Sequence, residues 1–291
     1  MSTNPLIVVA EKKWLSIGGI TVLTGDIRKG QRAWDRVIID YEKNRQLLAA
    51  NNDYDKARLL AVFSPHAGDW LNAAPITSVG LRMSNDVIRV SAGLRLGSNL
   101  CAPHTCSCGQ SVDARGSHGL SCTRSAGRSL RHLLINDIIH RELIRAEVAS
   151  IREPTGLITG SALRPDGATL IPWSRGKCMV WDATIVDTVA QSHLSSTRSQ
   201  PGAAASHAAE QKEHKYAALA ATHIIIPVSL ETFGAWHIDS LNFIRELGRR
   251  AAQITGDQRE TTFLLQRISV AVQRGNASSV RGSLPSSNSD L

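Results

Sequence analysis

A chain of 291 residues, 42% of them hydrophobic, has enough apolar side chains to bury a substantial core, which excludes a disordered or fibrous protein. Lysine and arginine outnumber aspartate and glutamate by 33 to 25, so a polyanion such as nucleic acid suits it better than an acidic or neutral partner. No apolar run approaches the roughly 20 residues that cross a bilayer. The start MSTNPLIVVAEKKW also lacks the basic-then-apolar order of a secretory signal, so an intracellular, reducing compartment is expected.

The first 25 residues hold only short β-branched stretches, Ile7-Val8-Val9 and Ile20-Thr21-Val22-Leu23. From Lys29 to Ala50 the series Trp34, Val37, Ile38, Tyr41, Leu47, Leu48 recurs at helical spacing, and a second helix is expected over Asp53–Phe63. The turn-rich SPHAGDWLNAAPI follows, with Trp70 as a packing anchor. Residues 1–100 thus read as a mostly helical adaptor.

Within residues 101–124, Cys106-x-Cys108-x9-His118-x3-Cys122 offers four ligands that converge on one tetrahedral ion if the loop folds back, as its glycines allow. The segment is too polar to supply a core in which cysteines could simply be buried. A zinc knuckle is expected, structural because four protein ligands close the site; Cys101 and His104 remain possible substitutes for one of them.

A helix over Ser125–Val148 carries Leu130, Leu133, Leu134, Ile138 and Leu143 as its stripe. Three strand candidates follow, Ala149–Glu153, Asp166–Leu170 and Cys178–Val186, then a helix over Ala203–Ala221 and the buried strand HIIIPVSLE. Helices over Ile238–Ile254 and Asp257–Arg274 complete the pattern, the second expected to end at Gly275 as a left-handed cap. The fold class is α+β: a small mixed sheet flanked by helices across residues 125–282, with a disordered tail from 283 to 291.

Strand alternation puts Asp182 and Thr184 on one face with Val180, and Trp181 and Ala183 on the other. A carboxylate among Met179, Val180, Ile185 and Val186 needs a cation or hydrogen-bond partner. A hairpin would bring Asp166 beside Asp182, and two adjacent carboxylates suit Mg2+. Taken alone, Asp166 in RPDG reads as a turn residue, while Asp187 and Glu210 read as solvated charges. Lys212 and Tyr216 share one helix face, with Glu213 and Lys215 turned elsewhere.

Together CSCG-x8-SHGLSC, the helix with Asn136, REPTGL, RPDG, VWDATIVDT and AEQKEHKY resemble the carboxy-terminal region of reverse-transcriptase-like open reading frames in animal genomes, related to site-specific non-LTR retrotransposons with a restriction-like endonuclease. The resemblance covers Arg95 to Gly282. It implies a zinc knuckle ahead of a restriction-endonuclease-like, PD-(D/E)xK-type domain that hydrolyses DNA phosphodiesters with Mg2+. By resemblance Asp166 and Asp182 hold the metal, Lys212 and Tyr216 match the later K-x3-Y motif, and the glutamate ahead of the first aspartate is Glu153 or the helical Glu142. DNA or RNA would be the partner, in the nucleus, with a reverse transcriptase encoded with it or beside it. The chain departs from the pattern in having Thr184 where the general fold has lysine, in a longer Asp166–Asp182 spacing, and in lacking any Asp-Asp dipeptide, hence a polymerase active site. The alternative is a catalytically inactive nucleic-acid-binding remnant of such an element, and a third reading is a zinc-stabilised interaction module.

Overall fold

The computed structural model describes residues 4–19, 31–157 and 163–285. The chain divides into two compact units, Met1–Asn52 and Asp53–Leu291. The first contains α1 (Pro5–Ser16) and α2 (Gln31–Ala49). The Asn4 side chain accepts from the Leu6 N–H at 3.0 Å, and Pro5 takes the first helical position, where a missing N–H costs nothing. Ile7-Val8-Val9 are therefore helical; Ile20-Thr21-Val22-Leu23 lie outside the described residues.

In the second unit α3 (Asp53–Val62) and α4 (Asn85–Leu96) precede a two-residue hairpin, β1 (His104–Thr105) with β2 (Ser111–Val112), and the short α5 (His118–Ser121). Next come α6 (Ala126–Arg145), β3 (Ser150–Arg152), β4 (Gly167–Thr169) and β5 (Cys178–Val186). The short α7 (Leu194–Thr197), α8 (Ala203–Lys215), β6 (His223–Glu231), α9 (Ile238–Thr255) and α10 (Glu260–Arg281) follow. The sheet runs β3-β4-β5-β6, with the first two pairings antiparallel and β5 parallel to β6. The mixed sheet and flanking helices agree with the α+β expectation. Among the described residues no helix is long and apolar enough to cross a membrane.

Three corrections concern boundaries. The adaptor expected over residues 1–100 is not one unit, because Ala57, Ala61, Val90 and Leu94 bury themselves with Leu120 and Val280, and Trp70 and Leu81 with Val270. Helices α3 and α4 are completed by α10, so the division falls after Asn52. Gly275 caps nothing: α10 continues to Arg281, and a Cβ at Gly275 would lie 1.9 Å from Arg131 Cγ. That glycine lets α6 and α10 approach closely enough for the buried Arg131 guanidinium to reach Asn276 and Ser279 at 3.0 Å and the Leu120 carbonyl at 2.8 Å. The tail expected from residue 283 begins with a buried residue, Ser283, whose carbonyl lies 2.8 Å from His104 Nε2; residues 286–291 lie outside the described residues.

Alternation along β5 decides which residues meet which layer. Met179, Trp181 and Ala183 enter the core with Ile135, Ile139 and Leu143 of α6, Ile244 and Leu247 of α9, and Leu264 and Ile268 of α10. On the opposite face Val180 packs with Ala168, Tyr216 and Leu219.

At the far ends of β5 and β6 lie two buried carboxylates. Asp187, expected to be solvated, is buried and accepts from the Val189 N–H and the Thr232 hydroxyl, each at 3.2 Å, and burial pushes its carboxyl up. Glu210 is exposed. Glu231 accepts from the Ala204 N–H at 3.1 Å at the start of α8, and burial raises its carboxyl from 4.5 to about 7. A raised folded-state value means that the folded chain holds the proton more tightly. This contribution to stability is complete below pH 4.5 and is lost as pH rises through about 7. Glu231→Gln, which stays neutral and keeps an acceptor oxygen, should therefore stabilise the protein relative to the wild type at pH 8, by on the order of 3 kcal/mol, and not at pH 4. Equal denaturation midpoints for the two proteins at pH 8 would refute this.

Candidate functional site

The Cys/His cluster forms where the β1–β2 hairpin turns back onto α5. Ligand atoms of Cys106, Cys108, His118 and Cys122 all lie within 4.8 Å of one another. The Cys106 and Cys122 sulfurs are 3.8 Å apart, and Cys108 Sγ is 3.2 Å from His118 Nε2. A tetrahedral ion with bonds of about 2.3 Å to sulfur and about 2.0 Å to nitrogen requires edges of roughly 3.8 and 3.5 Å. The residues thus fit a tetrahedral metal ion such as zinc. Burial pushes the Cys106 thiol up, but the Cys108 N–H and the side chains of Cys108, His118 and Cys122 outweigh it and bring it down to about 6. Of the two possible substitutes, Cys101 is turned to the Asp113 and Ala114 carbonyls and His104 to Ala102 and Ser283, so neither is needed.

The second centre lies where α6, β4, β5 and α8 meet. Asp182, on the Val180 face of β5, is 5% exposed. Lys212 Nζ lies 2.6 Å from its Oδ1, while the Tyr216 hydroxyl donates to Oδ2 at 2.5 Å. Burial, then the Asp182 carboxylate, raises the Tyr216 hydroxyl far above its ordinary range, so it remains a proton donor. Lys215 Nζ is 3.6 Å from Asp182 Oδ2 and donates to the Tyr216 oxygen at 2.7 Å. Ideal helical spacing turns Lys215 away from Tyr216. Instead α8 ends at Lys215, and its long side chain folds back over the Tyr216 ring.

Asp166 immediately precedes β4, and its Oδ2 accepts from the Ala183 N–H at 2.7 Å, next to Asp182. His132 Nε2 lies 2.9 Å from the same oxygen. Burial pushes the Asp166 carboxyl up, but His132 and the Ala183 N–H outweigh it, and it sits below the ordinary range. The same hydrogen bond raises His132. Asn136, one turn further along α6, accepts from Trp181 Nε1 at 3.0 Å, and its Nδ2 lies 3.3 Å from His132 Nε2. Gly167 lies directly opposite Trp181, where a Cβ would stand 2.1 Å from the indole. The glycine of RPDG thus makes room for the tryptophan that bridges β5 to α6. His132 and Lys215 were missed by sequence reasoning; His132 and Asn136 stand four apart on α6, the spacing that signals one face.

Glu153 does not join this centre. It has left-handed backbone (φ 50°), its N–H donates to the Asp166 carbonyl at 2.8 Å, and its exposed side chain pairs with Arg164. Glu142 is buried on α6 and paired with Arg267 of α10 at 2.6 Å. Among the described residues, the Cys/His group is the only set of three or more metal-ligating side chains that converges. A cleft of about 660 Å3 opens beside the carboxylates, lined by His132, Ala183, Thr184, Lys212 and the first turn of α6.

No protein-family model matches the chain, and no curated protein matches it.

Proposed function

We propose that the chain is a magnesium-dependent DNA endonuclease with a restriction-endonuclease-like core, stabilised by a zinc knuckle. The observation that carries this reading is the convergence of Lys212 and Tyr216 on Asp182 beside Asp166, at the wall of an open cleft. The order α6-β3-β4-β5-α8-β6, with β6 parallel to β5, supports it. The two carboxylates offer hard oxygen ligands of the kind Mg2+ takes, and Asp166 and Asp182 would hold it. Bound there, the ion would neutralise phosphate charge and lower the pKa of a coordinated water. Tyr216 fixes the orientation of Asp182, and the Ala183 N–H fixes that of Asp166. Lys212 offers an ammonium at the cleft wall to orient water or offset charge on a phosphate under attack.

The knuckle and basic surface would bind DNA, or RNA, through phosphates, with the nucleus as the place of action and a separately encoded reverse transcriptase as an associated activity. A second reading, nucleic-acid binding without cleavage, is favoured by one observation: Glu153 is held by Arg164, leaving the carboxylate pair without the third acid implied by the family resemblance. Incubation of the purified protein with supercoiled plasmid separates the two readings. Nicked circles should accumulate with Mg2+ and not with EDTA; retarded but intact plasmid under both conditions would mean binding alone.

A further inference from the structure

The start of α6 brings to the cleft a group of side chains that the two carboxylates do not use. Ser125, at the N-cap, is 6% exposed, and its Oγ has no hydrogen-bond partner among the described residues. It lines the cleft with Thr123, Arg128, Ser129, Thr184 and Lys212. A serine in this position ordinarily turns its oxygen back onto an N–H of the first turn. Its backbone here is extended, φ −79° and ψ 117°, as that cap requires, yet the bond is not made. The first-turn N–H groups of a 20-residue helix are thus left without a side-chain acceptor, that of Arg128 donating to the Ser125 carbonyl at 3.4 Å, and the first turn has no acidic residue. Instead Arg128 adds positive charge at the positive pole of the helix. Arg131, buried one turn on, donates to Asn276 and Ser279 of α10 and to the Leu120 carbonyl.

A buried hydroxyl, first-turn N–H groups without a side-chain cap and an arginine around one cavity, with Lys212 beside them on its pair with Asp182, form a site that suits a multivalent anionic acceptor. We infer that this corner of the cleft is a phosphate-binding pocket. Ser125 Oγ and the first-turn N–H groups of α6 hold phosphate oxygens, Arg128 supplies charge, and Lys212 approaches from α8. The pocket is tied to the metal centre, because the Ser125 N–H donates to the Cys122 carbonyl at 3.1 Å. The ligand chemistry is a phosphate group; assigning it to a nucleic-acid strand rests on the endonuclease reading. The cleft is large enough for the sugar and base that a strand would bring with its phosphate.

The test uses the full chain with its zinc and without magnesium, so nicking plays no part in it. Inorganic phosphate, a 5′-phosphorylated oligonucleotide and the same oligonucleotide without that phosphate are each titrated by calorimetry. Ser125→Ala and Arg128→Gln should each weaken inorganic phosphate binding about tenfold, the factor of one hydrogen bond to a charged group. The melting midpoint without phosphate and the zinc content should remain at wild-type values. Weakening that extends to the unphosphorylated oligonucleotide assigns the pocket to backbone phosphodiesters; weakening confined to the other two probes assigns it to terminal or free phosphate. Wild-type affinity of both variants for all three probes overturns the pocket. So does a Ser125→Ala protein whose phosphate-free midpoint falls, since that marks an ordinary helix cap. Should Arg128→Gln fail to fold, Ser125→Ala decides alone. A wild-type protein that nicks no plasmid in Mg2+ yet binds phosphate would reject the endonuclease and leave the pocket standing.

Discussion

Asp182→Asn should lose magnesium-dependent nicking by on the order of 1,000-fold, while DNA binding stays within about a factor of two. The substitution removes one negative charge from a position where Lys212 Nζ lies at 2.6 Å, Lys215 Nζ at 3.6 Å and the Tyr216 hydroxyl at 2.5 Å. The amide can still accept a hydrogen bond from the phenol. It cannot neutralise two ammonium groups or hold a divalent cation as firmly. Because Lys212 and Lys215 are partly exposed, solvent screens their unpaired charges, and the loss of stability should stay near 1–2 kcal/mol. The measurement is a nicking time course on supercoiled plasmid together with a thermal denaturation curve. A variant that nicks at the wild-type rate would remove Asp182 from the chemistry. A variant that no longer melts cooperatively would mark Asp182 as a folding residue, and Lys212→Met would then be the discriminating protein. Its expected defect is about 100-fold in rate with little change in substrate affinity.

On the zinc reading of the Cys106, Cys108, His118 and Cys122 cluster, chelation should lower the melting midpoint by at least about 10 °C, and Cys122→Ser should do the same. The segment has almost no apolar content to fall back on, since Val112 is the only other buried residue in its small cluster. Without a cation, the Cys106 and Cys122 sulfurs sit 3.8 Å apart with only a weak S–H hydrogen bond between them. The loss would not remain local. Gly119 of α5 lies so close to α10 that a Cβ there would meet the Ser279 carbonyl oxygen at 2.5 Å, and Leu120 is buried with Ala277 and Val280. Zinc content by atomic absorption, before and after chelation, should fall from one per chain to none as the midpoint falls. Protein that contains no zinc as purified, or an unchanged midpoint after chelation, would refute the metal centre.

What could be read in the sequence was local. Strands β5 and β6 occupy the ranges expected from their apolar, β-branched sequences, and the two-residue period correctly paired Asp182 with Val180, away from Trp181. The Cys/His spacing likewise brought together the four residues that converge. What could not be read depends on partners distant in the chain. Gly275 looked like a cap because a glycine near a helix end usually is one; its function is set by Arg131, on another helix. His132 offered no signal by itself because its partner, Asp166, belongs to a strand edge 34 residues later. Lys215 was assigned to the wrong side because an ideal helical wheel does not describe the last residue of a helix. The signal for α1 was present, an asparagine cap followed by proline, but the β-branched run after it argued for the opposite.

Helix α10 is the shared wall of several separate packing layers. It touches α4, the turn around Trp70, α5, α6 and α9. All of these precede it in the chain and leave the ribosome earlier. Until residues 260–281 have been synthesised, the Trp70 and Leu94 clusters each lack a wall and Arg131 lacks two of its hydrogen-bond acceptors. The Cys/His loop can close early, whereas α10, against which α5 and α6 pack, is made later. Assembly of this unit during translation therefore waits for α10, and an interruption of synthesis shortly before residue 260 would leave the apolar faces that α10 covers exposed.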